Sequence, residues 1–172
     1  MDFSNKTTTI ETLPRIEDIK FNPLANKYLH VMRIKTIITS LILLTAISIF
    51  HFSQEILELN EYLYIIAGIL GLAIINLLYA KISFKHRAYS LRERDITYKR
   101  GYIFRSITTV PFNRIQHTEI KEGALSRLFS LQTVKFYTAG GATSDLQISG
   151  LNKEDANNIK EFVNTKIESY EK

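Results

Sequence analysis

The sequence contains no cysteine and no tryptophan, and only three prolines and seven glycines in 172 residues. Without cysteine the chain cannot form a disulfide, a zinc–thiolate site or a cysteine nucleophile, so these three devices are excluded. A folded region in the cytoplasm does not need disulfides, because that compartment keeps thiols reduced.

Charged residues are also missing from two apolar segments, residues 36–52 and 62–80, which contain no Asp, Glu, Lys or Arg. As helices they would span roughly 25–29 Å, close to the ~30 Å hydrocarbon core of a bilayer. The second segment lacks the polar stripe that a helix of a soluble bundle keeps, since Asn76 is its one strongly polar side chain. The sequence therefore predicts a transmembrane hairpin over residues 31–80.

Basic residues flank the hairpin on both sides, and the turn between its helices is acidic. The positive-inside rule then places the turn outside and both termini in the cytoplasm, as expected for a multi-pass protein of the cell membrane. The flanking basic residues are Lys27, Arg33, Lys35, Lys81, Lys85, Arg87, Arg92 and Arg94, and the turn carries Glu55, Glu58 and Glu61.

Polar and small side chains within the spans predict how the two helices meet. An amide in lipid is costly without a partner, so we expect Asn76 to form an interhelical hydrogen bond with Thr39 or Ser40 at a similar depth. Ala67 and Gly71 have the spacing that lets membrane helices approach closely, although ordinary membrane-helix composition also explains them.

Residues 1–30 form a polar cytoplasmic leader. From the last part of this leader onward, the spacing of Leu24, Tyr28, Val31 and Met32 predicts a short helix at the membrane interface that runs into the first span.

Residues 85–172 change to the patterns of a small β-rich domain. Alternating apolar residues predict strands, Gly140 and Gly141 predict a flexible turn, and the helical pattern from Asn152 predicts a C-terminal amphipathic helix. A pleckstrin-homology-like (PH-like) barrel has this architecture: a curved sheet with an open end, which a C-terminal helix covers. The predicted strands are 88–92, 96–99, 102–110, 114–120, 133–138 and 145–149, with a short helical turn over 124–131.

The whole arrangement resembles the YdbS-like family of bacterial pleckstrin-homology membrane proteins. The resemblance implies a membrane-anchored bacterial protein with a cytoplasmic PH-like domain, often beside a multi-span partner of related type, and it carries over no catalytic residue. The leader is longer than the family leads us to expect. The stretches that carry the resemblance are Asn22-Pro23-Leu24, Lys85-His86-Arg87, Tyr89-Ser90-Leu91, Lys99-Arg100-Gly101, Val110-Pro111-Phe112-Asn113-Arg114-Ile115-Gln116-His117 and Thr138-Ala139-Gly140-Gly141.

Five basic side chains are candidates to face lipid or a partner. Four of them surround the first predicted strand turn, the place where eukaryotic PH domains often hold phosphoinositide phosphates. They suit a general basic rim at the anionic inner leaflet, and the fifth suits either a contact with lipid or a tie between strands. The candidates are Arg92, Arg94, Lys99, Arg100 and Arg114.

Other site types find little support in the sequence. No phosphate-binding glycine motif is present, the four histidines have no metal-like spacing, and Ser126 and Ser130 have no acid–base neighbours. We therefore predict no catalytic residue, no metal and no cofactor. The basic charge comes without a nucleic-acid-binding motif, so nucleic acid is not an expected partner.

These observations predict a non-catalytic, membrane-anchored interaction module at the inner leaflet, in a membrane complex or homo-oligomer. The alternative is a protein that binds lipid headgroups, or an accessory protein of envelope stress or resistance. A small membrane hydrolase is the third class, and it requires titratable residues that converge in a pocket.

Overall fold

The structure of the protein is a computed structural model that describes residues 19–54, 58–139 and 145–170. The start of the predicted leader, part of the acidic turn and the Gly140–Gly141 turn lie outside these residues. In chain order the elements are β1 (Asn22–Pro23), α1 (Tyr28–Gln54), α2 (Leu59–Lys85), β2 (Ala88–Leu91), β3 (Asp95–Arg100), β4 (Ser106–Pro111), a 3₁₀ turn (Phe112–Arg114), β5 (Ile115–Lys121), α3 (Ala124–Leu128), β6 (Leu131–Thr138), β7 (Leu146–Asn152) and α4 (Lys153–Tyr170).

Helices α1 and α2 form an antiparallel pair whose apolar side chains point outward. Both helices are long and apolar enough to cross a membrane, and almost none of the most apolar stretch of either helix is buried within the protein. Ile42 in α1 and Leu78 in α2, for example, are 61% and 64% exposed. Lipid can cover such surfaces, whereas the core helix of a soluble bundle would be buried, so the predicted membrane hairpin is confirmed.

Direct contacts hold the two helices together near the turn that joins them. The Ser48 and Tyr62 hydroxyls lie 2.9 Å apart, and the rings of His51 and Tyr62 stack at 4.2 Å. In contrast, a Cβ built on Gly71 would meet nothing within 4 Å among the described residues. Among the described residues Gly71 therefore does not mediate the approach of α1 to α2, which favours the alternative that this spacing reflects ordinary membrane-helix composition.

The rest of the chain folds into two antiparallel sheets, one of strand order β1-β2-β3-β4 and one of order β5-β6-β7. Helix α4 packs over β5, β6 and β7 and presents Ala156, Ile159 and Val163 to the core. Phe112 and Phe136 are fully buried between these layers. The predicted β-rich, PH-like domain with a covering C-terminal helix is confirmed.

The first strand of this domain comes from the segment before the hairpin. In β1, Asn22 pairs with Tyr89 and Pro23 pairs with Ala88 of β2, so the whole hairpin is inserted between two neighbouring strands of one sheet. The following Leu24 is 3% exposed and belongs to the core.

This differs from the predicted leader, which placed a short helix at the membrane interface. Tyr28 and Val31 begin α1 inside the domain core, where their exposures are 9% and 0%. Helical spacing shows that one face is apolar, but it does not show whether lipid or protein covers that face.

Gly150 in β7 is the residue against which the start of α1 packs. Its φ is +84°, and a Cβ placed there would lie 2.3 Å from Cγ of Tyr28. The Ala25 N–H also donates to the Gly150 carbonyl at 3.0 Å. Only glycine allows both the backbone conformation and the close approach of the tyrosine ring.

The structure shortens the strand predicted over residues 102–110. Strand β4 begins only at Ser106, and the chain from Gly101 to Arg105 forms a turn. Gly101 has φ +87°, and a Cβ on it would lie 1.9 Å from the Phe104 carbonyl oxygen. The aromatic and β-branched composition favoured a strand, but this glycine conformation bends the chain first.

Gly150→Ala is expected to destabilise the domain by about 2–4 kcal/mol, because the substitution adds both backbone strain and a clash with Tyr28. Thermal unfolding of the full chain in detergent measures the effect. Gly123→Ala is the control, since its Cβ would lie 3.8 Å from Ser126 Oγ at a negative φ. Equal unfolding temperatures for the two variants would contradict the proposed packing.

Candidate functional site

The five predicted basic residues fall into two sets, which lie near opposite ends of the first sheet. Lys99 pairs with Ala88 at the end of β3 nearest to α2, whereas Ile96 pairs with Leu91 at the opposite end. Three residues of strand correspond to about 10 Å. Lys99 and Arg100 therefore lie near the membrane helices, and the other three lie farther away.

We call Arg92, Arg94 and Arg114 the distal group. Arg92 makes two hydrogen bonds of 2.7 Å with both carboxylate oxygens of Asp95, which neutralises its charge locally. The carbonyls of Arg94 and Arg114 accept hydrogen bonds from Phe112 and Ala139, at 3.0 and 3.3 Å. Their backbones thus tie the two sheets and the loops together, while their side chains are exposed.

Lys99 and Arg100 line a cleft of about 290 Å³ at the end of α2. Within the described part of the chain, no acidic side chain lines this cleft, which we call the basic cleft. Sequence reasoning did not assign Lys85, His86 or Arg105 to it, because only the fold brings them beside β3. The lining residues are Lys85, His86, Lys99, Arg100, Gly101, Arg105, Ser106 and Ile107.

Two aromatic contacts position side chains of the basic cleft. The Lys99 ammonium lies 4.1 Å from the centre of the Phe21 ring, a cation–π contact. The His86 ring lies 4.8 Å from that of Tyr102, and its Nδ1 lies 2.9 Å from the Ile82 carbonyl oxygen. Since a carbonyl only accepts, Nδ1 carries the hydrogen in this contact, and Nε2 is the nitrogen that remains for another partner.

A loop that we call the apolar loop, residues 102–104, lies beside the basic cleft. Tyr102, Ile103 and Phe104 are 42%, 67% and 87% exposed, although all three are large and apolar. The turn at Gly101 presents them together, next to the cationic side chains. Cationic groups bind anions through charge-assisted hydrogen bonds, so the cleft and the loop suit an anionic ligand that also has an apolar part.

Two carboxylates with shifted pKa values lie elsewhere: Glu119 lies in β5 of the second sheet, and Glu122 follows the end of that strand. A 2.7 Å hydrogen bond from the Tyr137 hydroxyl lowers the pKa of Glu119, and one from the Gln132 amide at 2.5 Å lowers the pKa of Glu122. These bonds favour the ionised carboxylates. A general acid needs the opposite shift, so neither group has the character of one. No group of three His, Asp or Glu among the described residues is placed to hold a metal.

Inside the hairpin, the three predicted polar residues do share one cleft, but each bonds within its own helix. The Asn76 amide donates to the Leu72 carbonyl at 2.9 Å, and the Thr39 and Ser40 hydroxyls donate to Thr36, both at 2.9 Å. The structure therefore differs from the predicted interhelical hydrogen bond at this depth. The carbonyl one turn earlier is the nearest acceptor for such side chains, and it satisfies them locally.

The comparisons with known proteins agree with this fold. Residues 30–167 match the sequence model of the family described as Bacterial PH domain, which covers most of the chain, so the protein belongs to that family. It is similar to the UPF0699 transmembrane protein YdbS of Bacillus subtilis (strain 168), with 26% identity over 149 residues, which are 83% of this chain and 89% of that protein. The resemblance to YdbS-like membrane proteins is thereby confirmed. No solved structure matches the chain significantly.

Tyr137→Phe is expected to lower stability at neutral pH and to have less effect in acid. The hydrogen bond from Tyr137 keeps the pKa of Glu119 below its ordinary value of 4.5. Its stabilisation is therefore present above that pH and is lost as the pH falls through the lowered value. Unfolding at about pH 7 and about pH 3 measures the difference, with Tyr170→Phe at the end of α4 as the control. Equal losses of stability at both pH values would disprove the coupling between this hydrogen bond and the ionisation of Glu119.

Proposed function

We propose that this protein is a non-catalytic interaction module that its hairpin holds at the inner leaflet of a bacterial cell membrane, within a membrane complex or homo-oligomer. The observation that supports this most is the insertion of the hairpin between β1 and β2. A domain with a flexible tether would need only one connection to its anchor, whereas this domain is joined at both ends of the hairpin.

Both connections between the hairpin and the domain are short. The first turns of α1 are buried in the domain core at Tyr28 and Val31. On the other side, only His86 and Arg87 separate the end of α2 from β2. The domain therefore has a fixed orientation toward the membrane, and this raises its effective concentration for partners in the same plane.

The sheet also supports the proposed topology. β1 precedes the hairpin and β2 follows it, yet the two strands pair with each other, so both ends of the hairpin meet the same domain. Two crossings return the chain to the side from which it came. The basic residues that flank both ends of the hairpin then favour a cytoplasmic location for the domain.

The second candidate function is lipid-headgroup binding, as in an accessory protein of envelope stress or resistance. The basic cleft favours it, because cationic side chains with no acidic neighbour lie at the end of a membrane helix. Anionic lipids of the inner leaflet attract basic residues near the surface. The two candidate functions are compatible, since an interaction platform can also bind the membrane that carries it.

The topology can be tested with single cysteines, because the natural chain has none. Asn60→Cys, at the start of α2, is expected to react with a membrane-impermeant maleimide in intact cells. Ser169→Cys, near the end of α4, should react only after the membrane is permeabilised. The reverse labelling pattern would overturn the proposed orientation.

The interaction role can be tested by photo-crosslinking in native membranes from position 128, where Leu128 is 77% exposed. A discrete crosslinked protein species is expected. Insertion of six Gly/Ser residues between His86 and Arg87 should lower its yield severalfold, because it keeps the anchor but lengthens one of the two short connections that set the orientation of the domain.

The control for this experiment is the same insertion in the turn between α1 and α2, which leaves the junction with the domain intact. If both insertions had the same effect on the yield, or if position 128 gave no protein crosslink in membranes with correct topology, the platform function would fail.

A further inference from the structure

We propose that the basic cleft binds the phosphate group of an anionic phospholipid while the apolar loop of Tyr102, Ile103 and Phe104 enters the headgroup layer. This inference rests on the membrane anchoring proposed above. It deepens the second candidate function by naming the phosphate as the recognised group and by adding a docking mode: the PH-like domain is fastened to the inner leaflet by a lipid as well as by the hairpin.

The height of the basic cleft relative to the membrane is set by α2. This helix has 27 residues, or about 40 Å, enough to cross the hydrocarbon core and enter the headgroup layers. Lys85 is its last residue and lines the basic cleft. The contact between His86 and Tyr102 brings the turn between β3 and β4 to the same level.

The chemistry of the lining fits a phosphate. Lys85, Lys99, Arg100 and Arg105 bring four positive charges to one cleft, and Ser106 is also part of its wall. Guanidinium groups can bind two phosphate oxygens at once, and ammonium groups add further charge-assisted hydrogen bonds. Elsewhere on the same sheet, Arg92 already has a carboxylate partner in Asp95.

The apolar loop identifies the source of the phosphate as a lipid. Free phosphate needs only the cationic groups and gives no role to a neighbouring loop in which Phe104 is 87% exposed. A lipid supplies an apolar environment beside its phosphate, at the level where the loop lies. Gly101, with φ +87°, holds the turn in this conformation, so the loop is presented without a large rearrangement.

The test uses the full chain in detergent and measures the thermal unfolding midpoint against three probes. These are dioctanoyl phosphatidic acid, dioctanoyl phosphatidylcholine and inorganic phosphate. The site variant is Arg100→Gln with Arg105→Gln. The matched control is Arg94→Gln with Arg114→Gln, which removes the same charge from the exposed distal group.

The wild type and the control are expected to gain stability from phosphatidic acid, with a smaller gain from phosphatidylcholine and little from inorganic phosphate. The site variant should bind phosphatidic acid about 30-fold more weakly, since each basic contact with an anionic lipid contributes about a factor of five. Equal binding by the site variant and the control would overturn the site. An equal gain from inorganic phosphate would identify a free anion, not a lipid, as the ligand.

A second pair of variants tests the apolar loop. Phe104→Ser is expected to weaken binding of phosphatidic acid without changing its dependence on salt, because an apolar contact is lost and no charge is removed. Leu128→Ser, at another exposed apolar position, should leave binding unchanged. Equal effects of the two substitutions would exclude the loop from the site.

These results separate the two proposals. Loss of lipid binding in every arm, with the cysteine labelling as expected, would reject the lipid site and leave the anchored platform intact. Labelling of Ser169→Cys from outside intact cells would reject both, because the basic cleft would then face the other leaflet.

Discussion

The packing of Tyr28 against Gly150 is the contact on which the arrangement of this protein depends. Gly150 lies in β7, at the end of the second sheet, and Tyr28 begins the first membrane helix. With β1 paired to β2, the contact makes the start of α1 part of the domain core. Movement of the hairpin relative to the domain would expose this buried surface, which is costly, so anchor and domain behave as one body.

Much of this architecture could be predicted from the sequence, because the signals are local. The two charge-free segments, the alternation in β6 and the apolar stripe of α4 each reflect one element and one surface. The basic cleft was harder to predict, because it depends on which residues the fold brings together. Lys85 and Arg105 are twenty positions apart in sequence, and only the path of the chain around β2 and β3 brings both into the basic cleft.

The predictions that differ from the structure share a physical cause. Leu24, Tyr28 and Val31 are apolar on one face whether they meet lipid or protein, and Asn76 can use a carbonyl of its own helix as readily as a partner across the hairpin. In both cases the sequence shows what a side chain needs and not which neighbour supplies it. Tyr102–Phe104 is the opposite case, since strand-forming residues are held out of the strand by the backbone conformation of Gly101.

Geometry, more than net charge, then decides which basic residues can act at the membrane in the proposed orientation. The attraction of an anionic surface decays over a Debye length of about 8 Å at physiological salt. The distal group lies about 10 Å farther along the sheet than Lys99, judged from the strand register. Arg92 is in addition paired with Asp95. A chain of the same composition with these positions exchanged would have the same formal charge of +5, but its cations would face away from the bilayer.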